Sequence, residues 1–203
     1  MNEKGASPVP QKSSVEDYLK NERNSAARNE FINGRVIPRA NSNRWHNLIV
    51  TNATIAIGSR LQGHKCDVYV SSMRVRLQNS VICYPDLILV NGEPTFADQK
   101  LDLLLNPTVV VEIFSAKTET SDKSEKMESY LAMDSIKECL MVKEDGMRVE
   151  HYARQNAKQW VYRIYNERDD VISLESVQCK ISLSEVYSQI KFGQAEFSST
   201  AVN

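Results

Sequence analysis

Tyr84-Pro85-Asp86-Leu87-Ile88-Leu89-Val90 and Thr108-Val109-Val110-Val111-Glu112-Ile113-Phe114 are two short apolar runs, the second especially rich in β-branched residues. Each reads as a buried central strand, because a strand covered on both faces carries a near-continuous apolar sequence. Each also holds one carboxylate, which a core strand does not need for packing. Burying a lone ionised carboxylate is costly, so such groups are normally ion-paired or bound to metal. The interval from Asp86 to Glu112 accommodates one strand, a connection and entry into the next. Two acids on neighbouring strands can then share a divalent cation such as Mg²⁺, which takes carboxylate oxygen and fills its remaining positions with water and substrate phosphate. The alternative reading is structural, with Asp86 a turn residue after Pro85 and Glu112 an ion-paired core acid.

A lysine usually completes a site of this kind. Phe114 stands two residues after Glu112, where it would be sought, while Lys123 and Lys126 follow in a helix-like stretch. That stretch, Ser121 to Met133, opens on a candidate N-cap and carries Asp122 and Glu125 in its first turn, as the helix dipole favours. Met127, Tyr130 and Leu131 form its apolar face.

Upstream, Ser14 is a candidate N-cap for a short helix to about Lys20. Arg28 to Ile32 and Arg35 to Arg39 flank Asn33-Gly34, the dipeptide suited to the positive φ angles of a type I′ hairpin turn. Arg44 to Leu61 has the spacing of a helix, with Trp45, Leu48, Ile49, Ile55 and Leu61 as apolar positions and Gly63 as its stop. Strands are expected at Cys66–Val70, Met73–Leu77, Val81–Val90 and Thr108–Phe114. Further strands are expected at Glu138–Lys143, Arg148–Arg154, Trp160–Tyr165 and Val171–Leu174, before a short helix near Leu183 to Tyr187. This order predicts an α/β architecture with a mixed sheet. Residues 13–191 form one expected domain, between polar tails at 1–12 and 192–203.

The formal net charge of −1 argues against a uniformly basic coat for nucleic acid. A local basic cleft remains compatible with it, and Arg74 and Arg76 on one strand are candidates. Cys66, Cys83, Cys139 and Cys179 are too scattered for a zinc or disulfide framework and read as small buried apolar residues in a reducing cytoplasm. No apolar run reaches the length of a membrane span or a signal core, so a soluble cytoplasmic protein is expected.

In order along the chain stand Asn29-Glu30-Phe31-Ile32-Asn33-Gly34, His46-Asn47, Tyr84-Pro85-Asp86 and Asn106-Pro107. Val111-Glu112-Ile113-Phe114-Ser115 follows with Thr118, then Asp122, Glu125-Lys126, Tyr130 and Ser135-Ile136-Lys137-Glu138. Together, from about Val15 to Ile190, these resemble a bacterial restriction endonuclease family of the PD-(D/E)XK nuclease superfamily. The resemblance implies a restriction endonuclease-like core with an added N-terminal hairpin and C-terminal strands. It also implies a Mg²⁺-dependent endonuclease acting on DNA, with Mn²⁺ as substitute metal. Asp86, Glu112 and the backbone carbonyl of Ile113 would be the metal ligands. The family departs from the usual superfamily pattern by placing its lysine on the helix, and Lys126 is the matching position. Lys117 is an alternative lysine, and a surface pair of Lys126 with Asp122 is the structural alternative.

Glu30 and His46 match further family positions. Glu30 is a candidate catalytic or metal-supporting carboxylate, and otherwise an exposed hairpin residue. His46 is a candidate phosphate contact or acid, and otherwise a packing residue. Ser115 and Thr118 read as residues that order the strand-to-helix turn. His64 and His151 show no partner pattern. Cutting both strands of DNA favours a homodimer. A non-catalytic binding or assembly module on the same fold is the rival reading, and hydrolysis of another phosphate ester would use the same residues.

Overall fold

The computed structural model describes residues 13–39, 42–77, 80–115 and 121–192, with the backbone alone for residues 121–123. Along the chain run α1 (Val15–Glu22), the hairpin β1 (Asn29–Ile32) and β2 (Arg35–Pro38), and α2 (Arg44–Leu61). Then come β3 (Cys66–Val70), β4 (Arg74–Leu77), β5 (Val81–Cys83), β6 (Leu87–Asn91), β7 (Leu103–Leu104) and β8 (Val109–Phe114). After α3 (Ser121–Ala132) follow β9 (Glu138–Lys143), β10 (Val149–Asn156), β11 (Gln159–Tyr165), β12 (Val171–Leu174), β13 (Cys179–Ser182) and α4 (Leu183–Val186).

A six-stranded sheet in the order β11-β10-β9-β8-β6-β3 forms the centre. The alternation of β6 and β8 divides their side chains between two cores. Leu87, Leu89, Val109, Val111 and Ile113 pack with Ile49, Ala53 and Ile57 of α2 and with the C-terminal β12–β13 pair. Ile88, Val90 and Val110 face the other way, toward Tyr130 of α3 and the five-stranded sheet β2-β1-β5-β4-β7. Strands covered on both faces are largely apolar, and Glu112 is the exception within β8. Each fully buried Leu or Ile contributes about 1.5–3 kcal/mol.

The run Val81–Val90 is not one strand. β5 belongs to the five-stranded sheet and β6 to the six-stranded sheet, and Tyr84-Pro85-Asp86 carries the chain between them. Pro85 lacks the N–H needed to continue a ladder, which suits a break at this point. β8 and β9 are parallel, so α3 is the crossover that returns over the sheet between them. The mixed α/β architecture is as expected.

Several local expectations hold. Ser14 caps α1 by accepting the Asp17 N–H, and α2 has the expected ends. Asn33 and Gly34 turn the hairpin at φ 52° and 89°. Ile55 lies in the expected helix but on its outer face. It is 64% exposed, because the buried face of α2 is carried by Ile49, Val50, Ala53, Ala56 and Ile57. The strands β7 and β13 are additional to those expected. Cys83, Cys139 and Cys179 are buried, and all four cysteines are free. Among the described residues no helix is long and apolar enough to cross a membrane. Residues 1–12 and 193–203, Lys117, Thr118 and the side chains of Ser121, Asp122 and Lys123 lie outside the described residues, while Phe192, expected in the C-terminal tail, packs against Tyr187.

Candidate active site

The site lies at the seam where the chain leaves one sheet for the other. β1 pairs with β5 through Phe31 opposite Ile82, which brings Glu30 alongside the end of β5. There Glu30 Oε1 accepts the Tyr84 N–H at 3.2 Å. β6 pairs with β8 through Leu87 opposite Val111, so one step beyond the ladder Asp86 stands across from Glu112. Above them α3 presents Lys126 and Tyr130, which share a helix face because they are four residues apart.

Lys126 joins two acids from different sheets. Its Nζ lies 2.9 Å from Glu30 Oε1 and 2.8 Å from Glu112 Oε1. The Tyr130 hydroxyl donates to the same Glu112 oxygen at 2.5 Å. The Cys83 sulfur is 3.3 Å from that hydroxyl. The tyrosine proton is committed to Glu112, so the thiol is the donor there. Burial pushes the Cys83 thiol up to about 12, which keeps that proton in place.

Asp86 is 1% exposed and held on three sides. Oδ2 accepts the Ile113 N–H at 2.8 Å and lies 3.2 Å from His46 Nε2, while Oδ1 is paired with Arg39. His46 is placed by its helix start. Asn43, the N-cap of α2, accepts the His46 N–H at 2.9 Å and leaves the imidazole turned to Asp86.

Charge is unevenly matched across this group. Burial alone would raise the Asp86 pKa, but the hydrogen bond and charge of His46, then Arg39 and the Ile113 N–H, outweigh it and hold the group below the usual carboxylate range. Glu112 goes the other way. Burial raises its pKa, and the charges of Asp86 and Glu30 add to that effect against the opposing pull of Lys126. Burial disfavours the Lys126 ammonium, yet Glu112 and Glu30 more than reverse this and keep it charged. The carboxylates of Asp86, Glu30 and Glu112 thus face the cations Arg39 and Lys126. The oxygen donors of the group, from Asp86 and Glu112 with Glu30 nearby, are of the hard type that suits Mg²⁺ or Mn²⁺. Among the described residues, no three His, Cys, Asp or Glu side chains already converge as a closed metal cage.

Glu30, His46, Asp86, Glu112 and Lys126 are therefore brought together. Glu30 is buried rather than an exposed hairpin residue. Lys126 points inward, with its side chain 14% exposed. Ile113 meets Asp86 through its N–H. Arg74 does not line a basic cleft, because it is buried and paired with Asp102. His151, for which no partner was apparent, is buried 2.8 Å from Glu138.

Sequence reasoning missed the role of Arg39. It follows Pro38 at the end of a hairpin strand, and no local pattern connects it to Asp86. Tyr130 was visible as an apolar-face residue and as one of the residues that carry the family resemblance, but its bond to Glu112 follows only from the return of α3 over the sheet.

A sequence profile of the Uma2 family, described as "Putative restriction endonuclease", matches residues 15–185. Two proteins of Synechocystis sp. are similar to this chain. For sll1609 the identity is 29% over 146 residues, covering 71% of this chain and 82% of the relative. For slr1290 it is 23% over 190 residues, covering 92% and 97%. In fold, the chain is similar to the crystal structure of "a putative nuclease belonging to DUF820" from Anabaena variabilis. The TM-score is 0.71 at 16% identity, over 89% of this chain and 98% of that one. With the family profile spanning nearly the whole described chain, the protein belongs to the Uma2 family, described as "Putative restriction endonuclease", and it shares the mixed α/β fold of the Anabaena structure.

Proposed function

We propose that this chain is a metal-dependent endonuclease that hydrolyses phosphodiester bonds of DNA. The observation that carries the reading is the meeting of Lys126 with Glu30 and Glu112, next to Asp86. A lysine and three acids from separate elements share one buried place. A group of this kind is expensive to bury and contributes little to stability compared with apolar packing.

Asp86 and Glu112 would hold Mg²⁺, or Mn²⁺ in its place, with the Ile113 carbonyl as the further ligand that the family resemblance implies. An ion held there would supply an acidified water and polarise a phosphoryl oxygen. Lys126, kept protonated by Glu30 and Glu112, offers positive charge where charge develops at phosphorus and orients the attacking water. Tyr130 fixes the Glu112 carboxylate, and His46 fixes Asp86. Glu30 positions the ammonium from the opposite side.

Conversion of supercoiled plasmid to nicked or linear DNA in Mg²⁺, lost in Glu112→Gln, is the expected result. Retention of cleavage in that variant would contradict the assignment. A second reading, a binding module without cleavage, draws on the seating of Arg39 against Asp86. DNA binding by the wild type with no cleavage in either metal would favour it.

A further inference from the structure

We propose that Arg39 is a displaceable internal cation, occupying the metal-facing oxygen of Asp86 until a divalent ion binds and then gripping the phosphate held on that ion. The inference rests on the metal-dependent reading above and adds a residue that it did not include.

The two oxygens of Asp86 are not equivalent. Oδ2 is engaged by the Ile113 N–H at 2.8 Å and by His46 at 3.2 Å. Both partners are fixed, one in the β8 backbone and the other in the capped first turn of α2. Oδ1 is the oxygen left for a cation, and Arg39 Nη2 is seated on it. A guanidinium and a divalent ion repel one another at such a distance, so one displaces the other.

Arg39 is built to be displaced without being lost. Its other terminal nitrogen, Nη1, donates to the Ser71 carbonyl at 3.0 Å. Arg28 donates to the same carbonyl at 3.1 Å. Ser71 sits in the tight turn between β3 and β4 at φ 50°, and its own N–H bonds to the Asp86 carbonyl at 3.0 Å. The anchor is thereby tied to the backbone of the acid that Arg39 covers. A guanidinium held by one nitrogen and released at the other keeps its free edge beside the ion. A planar two-nitrogen fork matches phosphate oxygens, which are present only when substrate is bound. In the metal-free protein the same contact neutralises a buried carboxylate that would otherwise stand exposed to Glu112.

Calorimetric titration of the full chain with Mn²⁺ tests the first half. Arg39→Ala should bind Mn²⁺ about tenfold more tightly than the wild type, because no internal cation competes. Binding of a short DNA duplex, followed by fluorescence anisotropy with Mn²⁺ and the inactivating Lys126→Ala background, tests the second half. There Arg39→Ala should weaken DNA binding about tenfold, and Arg39→Lys should weaken it too, because lysine lacks the fork. Should Arg39→Ala fail to fold, Arg39→Gln removes the charge while retaining a donor for Ser71, and the same shifts are expected. Equal or weaker Mn²⁺ affinity in the folded charge-removing variant would overturn the inference and leave the metal-dependent reading standing. Unchanged DNA affinity would overturn the phosphate role. Absence of Mn²⁺ binding in wild type and variants alike would overturn the metal-dependent reading and this inference with it.

Discussion

Lys126 Nζ lies 2.8 Å from Glu112 Oε1, so an ammonium on a crossover helix meets a carboxylate on the strand that the helix follows. The parallel pairing of β8 with β9 forces α3 back across the sheet, and this return delivers the lysine. Phe114 stands two residues after Glu112, and the lysine beside that carboxylate comes from the helix. Lys126→Ala should lower cleavage by about two to three orders of magnitude, or roughly 3–4 kcal/mol of transition-state stabilisation. Steady-state rates on plasmid DNA check this. Wild-type rates in the variant would remove Lys126 from the chemistry.

Asp86 and Glu112 should respond differently to loss of charge. Repulsion between neighbouring acids would by itself make Asp86→Asn stabilising. The partners of Asp86 reverse that sign, since Arg39 and His46 hold it ionised in a buried place. Asp86→Asn should destabilise the metal-free protein by about 3–5 kcal/mol, the usual range for breaking a buried pair. Glu112→Gln should leave the metal-free melting temperature unchanged or higher, because burial and two neighbouring acids disfavour its charge. Thermal melts of both variants in chelator decide between these signs.

Tyr130 tunes Glu112. Its hydroxyl donates to the carboxylate at 2.5 Å and so favours the ionised form. Tyr130→Phe should push the already raised Glu112 pKa further upward. In the metal-free protein the Glu112 titration, followed by carbon-13 NMR of its carboxyl, should then move to higher pH. A titration that does not move would show that the Tyr130 hydroxyl does not favour the ionised form.

Away from the site, Glu138 and His151 make a buried pair at 2.8 Å, and the Ser176 N–H donates to Glu138 at 2.7 Å. Burial alone would raise the Glu138 pKa, but the hydrogen bonds from His151 and Ser176 bring it below the ordinary 4.5. A depressed carboxylate contributes stability that is complete above its unfolded pKa and lost as pH falls through the folded one. Urea unfolding should therefore show stability falling below about pH 4.5, with a shallower fall in Glu138→Gln. Equal slopes in the two proteins would show that the pair does not couple to acid unfolding.

The two acid-bearing runs were legible because burial and charge conflict within them, and the structure places both in the core. The hairpin at Asn33-Gly34 and the ends of α2 were legible from turn and cap chemistry, which is local. The splitting of Val81–Val90 was not, although Pro85 marked the break. Apolar periodicity cannot say which of two sheets a strand joins. Arg39 was hidden for a related reason, since its contact with Asp86 depends on how the hairpin docks against the turn between β3 and β4. His151 and Glu138 meet only through the register of β9 and β10, where His151 stands opposite Leu140.

The central claim is that Asp86 and Glu112 share one divalent ion. Crystals of the full chain soaked in Mn²⁺ and measured for anomalous scattering test it most directly. The account predicts one Mn²⁺ peak between the two carboxylates, at roughly 2.0–2.3 Å from an oxygen of each, with Arg39 moved off Asp86. An anomalous map with no peak there, and Arg39 still seated on Asp86 at saturating Mn²⁺, would contradict it.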